Sequence, residues 1–247
     1  MLDGGVATLT LDAPHNRNAL SKPLVEGLRA GLEVAAADPS VRAVVLAHHG
    51  GTFCAGADLT EMAAEGGPTA GTTRLVGLLR AMVDHPKPIV GVVDGHVRAG
   101  GLGLVGACDL AVVGPAATFA FTESRLGLAP AIISLTVRSR LSDRALSRYF
   151  LTGETFGPAE AERMGLVTKA TDDPSLIVDD LLVALKGCSP QGLAESKRLA
   201  NRDLLVAFDR DAAGLTELSA RLFASDEAQE GIAAFRERRP PRWVPPT

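Results

Sequence analysis

KPIVGVVDGHVRAGGLGLVGACDLAV, residues 87–112, holds an apolar run, a glycine-dense middle and a second apolar run. Ile89 to Val93 is short and rich in branched residues, and it reads as a buried strand. A helix through Leu104 to Ala107 follows the glycines, and Leu110 to Val113 reads as the next strand. Working outward, Val6 to Asp12 alternates apolar and polar residues as a strand does, and Val41 to Ala47 is another buried strand. Between these two, Ser21 stands as the cap of a helix opened by Lys22 and Pro23 and running through Leu24, Leu28 and Leu32. Pro39 and Ser40 end it. HHGGTFCAGADLTEM (48–62) reads as a loop in which Asp58 begins a helix. Residues 64–73 read as a mobile loop before a helix over Leu75 to Val83.

Thr118 to Phe121 is a further short strand. After Pro130 the pattern is helical almost to the end, broken around Thr152 to Pro158 and Thr171 to Pro174. Strand–helix units followed by a helical third make an α/β core with an α-helical extension. The expected boundary divides residues 1–190 from 191–247, without an internal repeat or a long linker.

Composition narrows the function. The 247 residues are 46% apolar and 22% charged, which excludes wholesale disorder. Aromatic residues are scarce (eight Phe, one Tyr, one Trp), too few for platforms that stack single-stranded nucleic acid. A net charge of −4 argues against a general phosphate-backbone binder. Cys54, Cys108 and Cys188 lie far apart, which fits a reducing compartment and no disulfide framework. There is no signal-peptide pattern and no apolar run of about 18 residues, so the expectation is a cytoplasmic protein without a membrane partner. His15, His48, His49, His85 and His96 form no metal-ligand spacing, and no metal site is expected.

The 26 glycines need a location. Gly101, Gly103 and Gly106 satisfy GxGxxG, with Glu123 at about the downstream distance of a ribose contact. DGHVRAG separates Val93 from the motif, however, and two strand–helix units precede it, which disfavours a nicotinamide site. The plainer alternative is close helix–strand packing. A second tight turn, Ala55-Gly56-Ala57-Asp58, also follows a strand. Two such turns can each aim a backbone N–H into one cleft, as a thioester oxygen requires when it becomes an enolate.

With these turns in view, the chain resembles the enoyl-CoA hydratase/isomerase, or crotonase, family. The matching strings run in family order: PHNRNALS (14–21), FCAGADL (53–59), residues 87–112, FAFTESRLGLAP (119–130), LTGETFGPAEAERMGLV (151–167) and EGIAAFRERRPPRW (230–243). The resemblance implies a ββα spiral core with a C-terminal helical trimerisation region, and a homotrimer or a hexamer built as a dimer of trimers. It implies an acyl-CoA thioester as substrate partner, with coenzyme A part of the substrate and no separate cofactor. It assigns the oxyanion-hole amides to Ala55 and Gly100, with Gly101 following as a helix N-terminus. Coenzyme A is expected along Arg17, Ala19, Ala55, Gly56, Ala57 and Asp58, then Gly100 and Gly101. Arg236, Arg238 and Arg239 are candidates for the phosphates, set against a solvated or interface role.

Hydratases of the family generally use two glutamates. The second matches Glu123, beside buried glycine turns where a carboxyl is raised and can shuttle protons. The place of the first is taken by Gly103, as it is in methylglutaconyl-CoA-hydratase-like members. LAPAIISLTV (128–137) also departs from the usual glycine-rich stretch, and Ile132, Ile133 and Leu135 are candidates for the acyl pocket. The resemblance therefore implies hydration of a 2-trans-enoyl-CoA to a 3-hydroxyacyl-CoA through one glutamate. A Δ3,Δ2-enoyl-CoA isomerase is the alternative, because one carboxylate can move a proton without activating water. A non-catalytic acyl-CoA-binding homologue is the alternative of another class.

Overall fold

The structure, a computed structural model, describes residues 1–64 and 68–245, without the side chain of Ala63. The chain opens with β1 (Leu2–Asp3) and β2 (Val6–Leu11), then α1 (Lys22–Ala37). There follow β3 (Ala43–His48), β4 (Thr52–Cys54), α2 (Leu59–Ala64) and α3 (Thr69–Val83). Next come β5 (Ile89–Val93), β6 (His96–Arg98), α4 (Gly100–Ala107), β7 (Leu110–Val113) and β8 (Thr118–Ala120). The six strands β1-β2-β3-β5-β7-β9 form one sheet, with β9 at Lys169–Ala170, and β4-β6-β8 form a second. All pairings are parallel except that of β1 with β2.

The odd strands of the series β3 to β8 join the large sheet and the even ones the small sheet. Each pair, β3–β4, β5–β6 and β7–β8, then leads into helical structure, which gives a repeating ββα path. The strands β5 and β7 read as unbroken apolar runs because both faces of the sheet are covered. Val93 and Val113 face the main core, whereas Val90 and Val112 pack under Val178 of α8 (Pro174–Lys186).

Several boundaries differ from expectation. The strand β4 lies where a loop was expected, and β6 lies in the glycine-dense stretch, where no strand was expected; three residues are too few to show a period. The helix α4 begins at Gly100 rather than Leu104, and α3 at Thr69 rather than Leu75, so part of the expected 64–73 loop is helical. Residues 65–67 of that loop lie outside the described residues. Ser21 occupies the N-cap position of α1, but its side chain caps nothing. The Lys22 N–H donates instead to both oxygens of Glu61, at 2.8 and 2.9 Å.

The helical end comprises α5 (Ser134–Val137), α6 (Asp143–Thr152), α7 (Pro158–Arg163), α8, α9 (Pro190–Ala200), α10 (Arg202–Phe223) and α11 (Asp226–Glu237). It folds back on the core of its own chain. Lys197 of α9 pairs at 2.8 Å with Asp109 and donates to the Met82 carbonyl, while Asn201 donates to the other Asp109 oxygen. The helix α10 packs on α3 and α5, and α11 packs on a 3-10 turn at Glu123–Leu126. That last contact is backbone to backbone: a Cβ on Gly231 would stand 2.6 Å from the Leu126 carbonyl, and one on Gly127 2.6 Å from Glu227 C. Among the described residues no helix is long and apolar enough to cross a membrane, and no three His, Cys, Asp or Glu are grouped to hold a metal.

Candidate active site

A cavity of about 870 Å³ opens where the 14–21 loop, the Ala55–Met62 turn, α3, β6, the Glu123 turn and α10–α11 converge. Its floor is set by the two glycine turns. Gly56 has φ +91°, and a Cβ there would lie 2.9 Å from Ala99 Cβ and 3.3 Å from Gly100 N. The turns therefore abut. Ala99, which leads into α4, itself has φ 44° and ψ −116°, an uncommon conformation for a residue with a side chain. This strained turn ends β6 and brings Gly100, the first residue of α4, to the cavity.

The two amides that the resemblance implies, those of Ala55 and Gly100, differ in what they meet. Ala55 N–H donates to the Arg17 carbonyl at 3.1 Å and is engaged in holding the 14–21 loop. The amides of Ala57 and Gly100 have no partner among the described residues, and both residues line the cavity. Of these three amides, only those of Ala57 and Gly100 are left to receive an oxygen in the cavity. Gly56 and Gly101 lie outside the lining: Gly56 is pressed against Ala99, and a Cβ on Gly101 would meet the Cys54 carbonyl at 2.8 Å.

The GxGxxG glycines resolve into packing. Beyond Gly101, a Cβ on Gly106 would stand 2.9 Å from Val137, and one on Gly103 would stand 2.9 Å from Ile133 Cγ2 and 3.2 Å from Leu79. The place of a first carboxylate is thus filled by Ile133, which lines the cavity while Gly103 does not. Thr136, donating to the Gly103 carbonyl at 3.0 Å, fixes α5 against α4 in this arrangement.

Glu123 begins the 3-10 turn that follows β8 and is 9% exposed. Its Oε2 is buried without a hydrogen-bond partner among the described residues. Burial pushes the carboxyl up from 4.5 to about 7, with only its own backbone amide acting the other way. A carboxyl of this kind can both accept and return a proton near neutral pH.

The remaining expected residues divide. Arg17 and Ala19 line the cavity, Arg17 in the left-handed region at φ 59°. Asp58 accepts from the Thr60 and Glu61 amides and from Asn16, so it caps α2 and ties that helix to the 14–21 loop. Glu61 reaches back from α2 to α1 and also pairs with Arg74 at 2.9 Å. Arg236 and Arg239 both border the cavity; Arg239 is held by Glu230 and Glu237, and Arg236 donates to the Leu59 carbonyl.

Three features escaped the sequence reading. Asn18, fully buried at φ 53°, accepts from Ala13 N–H and donates to the carbonyls of His49 and Thr52, holding the loop in shape. An asparagine between an arginine and an alanine gives at most a hint of left-handed backbone. Ser219, Phe223 and Phe235 reach the cavity from the C-terminal helices, for which no local signal exists. Arg98 lies on the wall formed by β6.

Residues 2–245 match the family described as Enoyl-CoA hydratase/isomerase. A 2,3-dehydroadipyl-CoA hydratase of Escherichia coli is 33% identical over 96% of this chain and 94% of the relative. The crystal structure of an enoyl-CoA hydratase from Mycobacterium avium superposes with a TM-score of 0.92 at 54% identity, covering 98% of this chain and 94% of that one. An enoyl-CoA hydratase/isomerase from Pseudoalteromonas atlantica gives a TM-score of 0.87 at 30% identity, covering 99% and 98%.

Proposed function

The chain belongs to the enoyl-CoA hydratase/isomerase family, and on that premise we propose that it adds water to a 2-trans-enoyl-CoA thioester to give the 3-hydroxyacyl-CoA. The observation that carries this reading is Glu123: a buried, unpartnered carboxyl near pKa 7 in the cavity that also receives the Ala57 and Gly100 amides. Ionised Glu123 takes a proton from water as its oxygen bonds to C3. The π electrons move through C2 onto the thioester oxygen, where the two amides stabilise the enolate. Protonated Glu123 then returns its proton to C2, so one carboxyl serves both halves of a net addition of water. Arg17 and Ala19 lie where coenzyme A would run, with Asp58 holding the α2 end of that surface. Loss of the enoyl-thioester absorbance on adding enzyme tests the activity. Equal rates for wild type and Glu123→Gln would remove Glu123 from the mechanism.

One observation favours a second reading. Ile133 and Leu79 make the place of the other acid apolar, which suits a Δ3,Δ2-enoyl-CoA isomerase whose single carboxylate shuttles a proton between C2 and C4. Product identification from a 3-enoyl-CoA separates the two: an isomerase yields the 2-enoyl ester and stops there, whereas a hydratase converts the 2-enoyl ester to the hydroxyl adduct.

A further inference from the structure

Arg98 stands on the cavity wall, half-buried, with no carboxylate within salt-bridge distance among the described residues. Buried arginines are normally paired, because removing a guanidinium from water is costly without a counter-charge. Here burial disfavours the charge, and no carboxylate among the described residues lies close enough to offset it. The side chain is nonetheless fixed. Nη1 donates to the Val97 carbonyl at 2.9 Å and to the Thr118 carbonyl at 2.7 Å, and Nη2 donates to Thr118 Oγ1 at 2.9 Å. This uses both Nη1 hydrogens and one on Nη2. The remaining two, on Nε and Nη2, lie along one edge of the planar group, in the spacing that takes both oxygens of a carboxylate.

The position of this open edge follows from the small sheet. Arg98 pairs with Ala120 in the parallel β6–β8 ladder. Beyond these partners the two strands lead, within a few residues, to the Gly100 amide and to Glu123. Val97 points into the core, so Arg98 and His96 share the opposite face, where both border the cavity. We propose that Arg98 receives a second carboxylate carried on the acyl chain, making short dicarboxylic acyl thioesters the substrate class. This rests on the hydratase reading for its chemistry, but the recognition itself does not require turnover.

The test compares a five- or six-carbon 2-enoyl-CoA ending in a carboxylate with the same chain ending in a methyl group. Wild type should favour the carboxylate-ended substrate in kcat/KM on the order of 10²-fold, the range for bonds to a charged group. Arg98→Met should collapse that ratio, and Arg98→Lys should restore only part of it, since an ammonium lacks the fork. Equal losses on both substrates would overturn the proposal, as would a changed oligomeric state, because Arg98 would then serve coenzyme A phosphates or a subunit contact. Calorimetric titration of wild type with the two saturated acyl-CoAs supplies a readout without catalysis or mutation. Tighter binding of the carboxylate-ended ester with no hydration of either enoyl ester would sink the hydratase reading and keep Arg98. Brisk hydration of the methyl-ended ester with equal binding of both would sink Arg98 alone.

Discussion

Glu123→Gln removes a titration that the fold displaces from 4.5 to about 7. Below pH 4.5 the carboxyl is protonated in both folded and unfolded chains and contributes no pH dependence. Between 4.5 and about 7 the folded protein keeps a proton that the unfolded chain has released, so stability falls as pH rises; above that interval the loss is complete. At about 1.4 kcal/mol per pH unit, the full interval makes the buried anion cost about 3 kcal/mol. Most of it, about 2–3 kcal/mol, falls between pH 5 and pH 8. Glutamine keeps the size of the side chain and cannot ionise. Its own packing adds an offset that does not change with pH, so the informative quantity is the difference between the two proteins across the range. For a chain of this length that difference should grow in favour of Glu123→Gln by roughly 5–10 °C in Tm from pH 5 to pH 8. Thermal melts in matched-ionic-strength buffers measure it, while kcat/KM of the same variant should fall by about 10²–10⁴. A Tm difference that is flat across this range would refute the burial argument, whatever happens to activity.

Gly103→Glu should not install a second working acid: with Ile133 Cγ2 2.9 Å from the new Cβ, we expect a loss of about 3 kcal/mol or more and no gain in rate. Denaturant titration checks it, and combining the change with Ile133→Gly should recover part of the stability. Lys197→Met removes a buried ammonium, leaves part-buried Asp109 without its 2.8 Å partner and should cost about 3 kcal/mol in the same assay, a cost that added Asp109→Asn partly reverses. Asn18→Ala removes three hydrogen bonds and puts alanine at φ 53°; about 3 kcal/mol should be lost, with KM for the acyl-CoA rising more than kcat falls.

The elements legible in the sequence were those with enough length to show a period. The strands β2, β3, β5 and β7 and the helix α1 stood out because each is four or more residues of unbroken, alternating or helically spaced apolar character. The strands β4 and β6 did not, since three-residue strands are made by their neighbours in the small sheet. Glu123 was legible as an acid after a strand, and Gly100 as a glycine at a helix start. Arg98 was not, because its significance lies in the absence of a nearby carboxylate, which depends on every element around it.

What the sequence determined by itself was the order of strands, turns and helices, and the presence of two tight turns and one acid in family register. Which amides face the cavity was decided only by folding. A backbone N–H is the same group at Ala55 and Ala57, and its availability depends on what pairs with it. The Arg17 carbonyl, brought back from a distant loop, takes the first and leaves the second. The same holds for Gly103: a glycine in the chain is an empty position, but Ile133, packed in from α5's approach, makes it a filled one.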